Sequence, residues 1–328
     1  MLIHTYSKPT NPDRVVILGG NGFLGGVLLR LLSQNRIETI APSSHDLDLS
    51  SAGAPRTLAE ILRPSDALIM LAALKGGRDL DEDGFVANVA MGATVCRAVR
   101  QAGCGHVIYI SSDALYPFTT EPVREGLPPR ADTLYALMHL ARETMLQTLD
   151  SPLAILRIAQ VYGSGDPHQS YGPSRMIQSA LREGRIVLYG SGEETRDHIH
   201  VEEVTSIILD VLMMRSRGLV NVASGRSVSF ADLANLVSQT CGGSISIERN
   251  PRRMPVFHRS FDTAELQSAF SARARMSLEQ GIALVVEEQR HTLAKGEFEN
   301  GAHSSNDARV GGDENGFISD VGRASRRA

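Results

Sequence analysis

The chain has 328 residues, a formal net charge of −4 and 42% hydrophobic residues, enough to bury a large α/β core. That charge gives no electrostatic case for nucleic acid or an anionic membrane surface, and no apolar run approaches the ~18 residues of a membrane span. Cys96, Cys104 and Cys241 form no C-x-x-C pair and no even framework. They read as core fillers in a protein of the reducing cytoplasm, with no nucleic-acid or membrane partner.

Met1 to Asp13 lacks an apolar signal core and is expected to be a short disordered lead-in. A β-branched run, Arg14-Val15-Val16-Ile17-Leu18, then meets Gly19-Gly20-Asn21-Gly22-Phe23-Leu24-Gly25. Helical spacing follows directly in Phe23/Leu24, Val27/Leu28 and Leu31/Leu32. Glycines at 19, 22 and 25 between a strand and a helix let the backbone turn and approach a pyrophosphate, which the helix N-terminus favours. The pattern predicts a dinucleotide site.

Ile37–Ala41 reads as a second strand. Dinucleotide folds often end this strand with an acid that bonds the adenosine ribose. Pro42-Ser43-Ser44-His45 stands here instead, so a 2′-phosphate would meet two hydroxyls and no repelling charge. No arginine is present to clamp it, and NAD or NADP are both admitted. Asp66–Ala73 is nearly continuous apolar, as in a strand buried on both faces. Phe85, Val89, Ala93, Cys96 and Val99 follow helical spacing up to Gly103. His106–Ile110 is a strand running into Ser111-Ser112-Asp113, and a helix from about Leu134 to Leu149 precedes a strand at Leu153–Ile158. This alternation predicts a doubly wound parallel sheet whose ligands bind beyond the strand C-termini.

From Tyr162 the chain turns to Gly-, Pro- and Ser-rich loops, followed by a strand at Ile186–Tyr189, a helix at Val201–Met214 and a strand at Leu219–Ala223. Ser229 with Asp232 resembles a capping box opening a helix that ends near Thr240, and Asp262 and Ser277 look like further N-caps. After Gly296 the composition predicts a disordered tail. His198 and His200 alternate on one strand face with no third ligand spaced to match, so no metal site is expected; His168 reads as a loop residue. Arg249, Arg252 and Arg253 form a basic cluster, readable equally as a solvated loop or a phosphate clamp.

In this order the motifs resemble the extended short-chain dehydrogenase/reductases, in particular the NAD(P)-dependent nucleotide-sugar epimerases, dehydratases and reductases. The resemblance runs from about Arg14 to Lys295. Besides the glycine turn it rests on Leu71-Ala72-Ala73-Leu74-Lys75, Asn88, Ser111-Ser112-Asp113-Ala114-Leu115-Tyr116, Tyr135 with Glu143, and Leu156-Arg157-x-x-Gln160-Val161-Tyr162-Gly163. Further on it rests on Tyr189-Gly190-x-Gly192-x-x-x-Arg196-Asp197-x-Ile199-His200-Val201 and Asn221–Gly225.

The resemblance implies an α/β Rossmann domain over 14–160 and a smaller, partly interleaved sugar-nucleotide domain over 161–295, flanked by the lead-in 1–13 and the tail 296–328. It implies that Phe23 and Leu24 cover the pyrophosphate and that Asp48 and Leu49 contact adenine. Leu71, Ala72, Ala73, Lys75 and Asn88 would line the nicotinamide side. Ser112 would bond the reacting sugar oxygen, Tyr135 would be the general acid/base, and Gln160 and Arg196 would bind substrate, Arg196 at the diphosphate. A homodimer built on segments near Phe85–Val99 and Tyr135–Leu149 is also implied.

One departure bears on the chemistry. The family pattern Tyr-x-x-x-Lys reads Tyr135-Ala136-Leu137-Met138-His139, which puts His139 on the tyrosine's face of the helix in the lysine's place. Glu143, one turn further, is expected to keep His139 charged enough to do the lysine's work. The competing expectation is a weakly activated Tyr135 and a protein that binds rather than turns over. Asp113 matches an acid of the family's 4,6-dehydratases, but Ala114 replaces their glutamate base, which disfavours that elimination. The expected reaction is hydride transfer at C4 of a nucleotide sugar, foremost 4-epimerisation, with reduction of a 4-keto sugar as the alternative.

Overall fold

Arg14 and Asp66 are buried as a bidentate ion pair, with Arg14 Nε and Nη2 donating to the two carboxylate oxygens at 2.9 and 2.5 Å. They tie the start of strand β1 (Val15–Leu18) to the start of β3 (Ala67–Met70), and every side chain of both strands is buried. The computed structural model describes residues 2–74, 80–167, 172–252, 254–271 and 275–294. Lys75, His168, Arg253 and the tail 296–328 lie outside the described residues.

In chain order, β1 is followed by α1 (Phe23–Gln34), β2 (Thr39–Ile40) and α2 (Ala54–Ile61). After β3 come α3 (Glu82–Ala102), β4 (His106–Ser112), a 3₁₀ turn at Asp113–Leu115, α4 (Leu134–Leu146) and β5 (Leu153–Ile158). The second half holds β6 (Gln160–Tyr162), α5 (Pro173–Glu183), β7 (Arg185–Tyr189), β8 (Thr195–His200) and α6 (Val201–Met213). It continues with β9 (Gly218–Val222), β10 (Ser227–Ser229), α7 (Phe230–Thr240), β11 (Ser246–Asn250), α8 (Ala264–Ala269) and α9 (Leu278–Ala294).

The main sheet has the order β2-β1-β3-β4-β5-β9, all parallel. Two apolar cores cover its faces, one built with α1 and α6 and the other with α2, α3 and α4. This is the expected doubly wound fold. β9 reaches the sheet only after the chain has formed β6 and β8, which with β10 make a separate three-stranded sheet. Its helices α5, α7 and α9 enclose a third core.

Several elements are shorter than the sequence suggests. β2 keeps two residues because it is an edge strand pairing with β1 alone, through Val15↔Thr39 and Val16↔Ile40. α4 ends at Leu146, three residues early, where Gln147, Thr148 and Leu149 turn back on α4 carbonyls. The lead-in is a correction. Leu2 is buried, Ile3 bridges to Arg217, and His4 bonds Ser216 Oγ (2.7 Å) and the Ala269 carbonyl (3.0 Å). A signal-peptide test cannot see this anchoring, because it depends on residues more than two hundred positions away. The Ser229 and Ser277 caps form, accepting from Asp232 N and Gln280 N. Asp262 instead bonds Ala264 N from one position before the cap, Thr263.

Candidate functional site

The glycine turn sits at the C-terminal edge of the sheet, between β1 and α1. Gly19 has φ +95°, and a Cβ there would lie 2.8 Å from Ala72 N and 2.9 Å from Ala72 Cα. Gly22 caps α1 without a side chain, so the helix's first N–H groups meet no side-chain acceptor from the cap residue. A Cβ on Gly25 would fall inside the Gly19 carbonyl and 2.7 Å from Gly20 Cα. The cradle therefore suits a close-lying pyrophosphate and admits no side chain. Gly25→Ala is expected to cost about 1–3 kcal/mol of stability through overpacking. It should also abolish measurable dinucleotide binding, which calorimetry with NAD⁺ checks.

Phe23 opens α1 and lies near Gly163 of the second half, while Leu24 packs on the main core. Leu71, Ala72 and Ala73 follow β3, with Leu71 N donating to Leu18 O (2.9 Å). Asn88 on α3 is buried and its Oδ1 accepts from Leu74 N at 3.0 Å. Asp48 accepts from Ser50 N (2.9 Å) and Oγ (2.6 Å), and these bonds hold its carboxyl below the usual carboxylate range. Leu49 is buried and its carbonyl accepts from Thr94 Oγ1 (2.9 Å). At the end of β2 the expectation of an uncharged surface needs correcting. Asp46 folds back so that its Oδ2 accepts from Ser43 Oγ at 2.6 Å, which puts a carboxylate against one of the two hydroxyls expected to meet a 2′-phosphate. Two residues of turn, Ser44 and His45, separate Asp46 from Ser43, so the strand-end position alone does not reveal the charge.

The reacting end is formed by β4, the 3₁₀ turn and α4. Thr133 caps α4 by accepting from Ala136 N (3.1 Å), which fixes the helix start at Leu134, one residue before Tyr135. The Ser112 hydroxyl bonds the Tyr135 phenol and accepts from Ala114 N at 3.2 Å. Burial pushes the Tyr135 pKa above the ordinary phenol value. The Ser112 bond and the Arg142 charge pull it down, and Asp113 pushes it up. Asp113 is itself buried and desolvated, its carboxyl held up against the opposing pull of Arg259 at 3.8 Å.

His139 is buried, with its ring 4.7 Å from that of Tyr135 in an edge-on arrangement. Its Nδ1 is hydrogen-bonded to Tyr109 Oη at 2.7 Å, and its Nε2 has no partner. Burial, helped by the Arg142 charge, pushes its pKa down to about 3. The expected charging by Glu143 is therefore overturned. Glu143 accepts from Arg157 Nε (2.9 Å) and Nη2 (2.7 Å) and from Ser111 Oγ (2.5 Å), so its carboxylate is engaged by β5 and β4. Helical spacing correctly set the face; a bidentate guanidinium on the neighbouring strand took the carboxylate.

Arg196 on β8 is buried, paired with Glu194, and donates to the carbonyls of Thr195 (2.8 Å) and Phe257 (2.5 Å). Arg252 also bonds Glu194 (2.9 Å) and the Tyr189 carbonyl (2.8 Å), so it is no solvated loop residue, whereas Arg249 is exposed on β11. Arg259, which belongs to none of the sequence motifs, donates to the carbonyls of Asp113 and Tyr116 (both 2.8 Å). The Phe118 ring lies under the guanidiniums of both Arg196 and Arg259. Gln160 and His198 stand in register on β6 and β8, and Gln160 Oε1 and both His198 ring nitrogens are buried without partners. Among the described residues no three His, Cys, Asp or Glu side chains gather as a metal site, and no helix is long and apolar enough to cross a membrane.

Burial keeps His198 neutral to about pH 3, as it does His139. In the unfolded chain each imidazole takes up a proton near ~6.5. Below that pH the unfolded state binds more protons, so stability falls with acidification, by roughly 1 kcal/mol per imidazole at about pH 5.5. Urea unfolding at neutral pH and near pH 5.5 measures this; equal midpoints would contradict it.

The chain matches the model of the NAD dependent epimerase/dehydratase family over residues 15–223. It is 26% identical over 306 residues to a UDP-glucose 4-epimerase of Mycolicibacterium smegmatis, covering 84% of this chain and 97% of that one. A GDP-L-fucose synthase of Sinorhizobium fredii is 23% identical over 82% of this chain and 93% of its own. Among solved structures, MoeE5 in complex with UDP-glucose and NAD superposes with a TM-score of 0.75 at 25% identity, over 85% of this chain and 99% of that one. With the glycine cradle, the Ser112–Tyr135 pair and the sheet order, these likenesses place the chain in the NAD-dependent epimerase/dehydratase family of nucleotide-sugar-modifying enzymes.

Proposed function

We propose that the protein reduces a nucleotide-activated 4-keto sugar, with NADH as the favoured hydride donor. The observation that carries this reading is the pairing of a desolvated, protonated Tyr135 with a neutral His139. Oxidising a C4 hydroxyl at neutral pH needs a tyrosinate, and although the Arg142 charge pulls the Tyr135 phenol down, burial leaves it above its ordinary value of ~10, a poor base there. Giving a proton to a newly formed alkoxide is downhill for the same phenol. The fold tolerates the lost lysine best in the reductive direction.

The dinucleotide supplies the hydride. Gly19, Gly22 and Gly25 admit its pyrophosphate, and Ser112 and Tyr135 hold the sugar carbonyl oxygen. Tyr135 delivers the proton and Asp113 stays a buried neighbour. Gln160, His198 and Arg196 offer polar contacts to the sugar and diphosphate. Asp46 at the end of β2 supports NAD(H) over NADP(H) by charge repulsion of a 2′-phosphate. Epimerisation at C4 is the second reading, favoured by the full-length likeness to the mycobacterial 4-epimerase. The test is incubation with nucleotide-activated 4-keto sugars and either reduced dinucleotide, followed at the nicotinamide absorbance. Stoichiometric consumption, faster with NADH, is expected. Interconversion of C4 epimers with no net consumption overturns the reductive direction.

A further inference from the structure

Glu194 stands just before β8, between two guanidiniums. Its Oε1 accepts from Arg196 Nη2 and its Oε2 from Arg252 Nη1, the second bond at 2.9 Å. The side chains of Glu194 and Arg196 are 3% and 4% exposed, and that of Arg252 is 13% exposed. The Glu194 carbonyl accepts from Phe230 N (3.0 Å), and Arg196 is braced by the Thr195 and Phe257 carbonyls. The cluster adjoins the reacting end. The Phe118 ring lies 5.2 Å from the Arg196 guanidinium and 4.5 Å from that of Arg259, whose Nε is 3.8 Å from Asp113 Oδ2. One carboxylate thus gives an oxygen to each arginine, and Arg196 is the residue that the reading above puts at the diphosphate. Guanidiniums grip carboxylates and phosphates through the same N–H fork, so the two anions compete for the same donors.

We propose that Glu194 is a specificity-determining residue, an internal carboxylate that the substrate's diphosphate must displace from Arg196 and Arg252. The proposal rests on the nucleotide-sugar reading above and holds for either direction of reaction. Two arginines alone would form an open anion site. With Glu194 between them, half of their charge is cancelled before any ligand arrives. Glu193, at the exposed rim, accepts from Arg252 Nη2 at 3.3 Å and opposes the rest. A ligand with a single weak acceptor gains nothing by exchange, since it breaks two charge-assisted bonds and strands a buried carboxylate. A diphosphate brings an anionic phosphoryl group to each guanidinium and replaces both bonds. Arg252 is the most exposed of the three and sits on irregular chain beyond β11, so a phosphate meets it first. Releasing Glu194 then opposes every nucleotide that binds, and the base and sugar must supply the remaining affinity.

The test measures binding of UDP, GDP and dTDP to the full chain by calorimetry, with NAD⁺ present to fill the glycine cradle. Glu194→Gln should bind the best of the three about 10- to 100-fold more tightly, the size of the charged hydrogen bonds no longer given up. Without nucleotide the same variant should melt at a lower temperature, because two buried cations lose their counter-charge. Weaker folding joined to tighter binding is a combination that a purely structural glutamate does not produce. Glu194→Asp keeps the charge but reaches one guanidinium only, so it folds more readily and should tighten binding by about 3- to 10-fold. Glu193→Gln, an equal change of charge at the watery rim, should alter affinity by less than about 2-fold. Binding that is unchanged or weaker in both Glu194 variants overturns the proposal, and so does an equal gain from Glu193→Gln. If no form of the protein binds any nucleoside diphosphate while NAD⁺ still binds, the nucleotide-sugar reading falls and the proposal with it.

Discussion

Tyr135→Phe is expected to lower turnover by about 10²–10⁴-fold, the usual effect of deleting a positioned acid/base. The change leaves the ring that packs edge-on against His139 and removes only the hydroxyl that Ser112 bonds. Thermal stability and NAD⁺ affinity should therefore stay near those of the unaltered protein while the rate falls. Rates come from nicotinamide absorbance with the best sugar nucleotide found. The unaltered enzyme should hold its rate on the acid side of neutrality, because the phenol works in its protonated form, and lose it in alkali. Turnover that survives the substitution unchanged would remove Tyr135 from the chemistry.

Glu143→Ala is expected to destabilise the fold by about 3–5 kcal/mol, because it strands a buried cation. Arg157 would lose both carboxylate bonds and Ser111 its acceptor, while the Tyr116 ring, 4.8 Å from the guanidinium, offers only partial compensation. Glu143 and Arg157 are both almost wholly shielded from water, which is what makes the loss large. Thermal unfolding should show a drop of roughly 10 °C. The exposed pair Arg56–Glu60 provides the internal contrast. Breaking it should cost only about 0.3–0.5 kcal/mol. A small effect at Glu143 would mean that the three elements it joins are held by other contacts.

The fold was readable because its signals are local. Three glycines between a buried strand and an amphipathic helix, and apolar runs alternating with helical spacing, need no knowledge of distant partners. Tyr135, Ser112 and His139 were singled out by the resemblance to the family and not by such local signals. What escaped was pairing across elements. Glu143 had the right face, yet which of two basic neighbours it would serve depended on β5 lying beside β4. Arg142 carried a readable hint, since 135, 139 and 142 follow i, i+4, i+7 along one helix face. Tyr109 and Arg259 carried none; their partners lie 30 and 146 residues away. The Asp46 fold-back onto Ser43 shows the same limit at short range, where turn geometry rather than position decides which side chains meet.

The return of β9 to the main sheet has a consequence for how the polypeptide is made. A nascent chain that has emerged only as far as Gln160 presents β5 as a bare edge, whose final neighbour has yet to be translated. Closure of the dinucleotide half must wait some sixty codons, until Val222 leaves the ribosome. Fragments that stop at the apparent midpoint of the molecule should thus be sticky rather than autonomous.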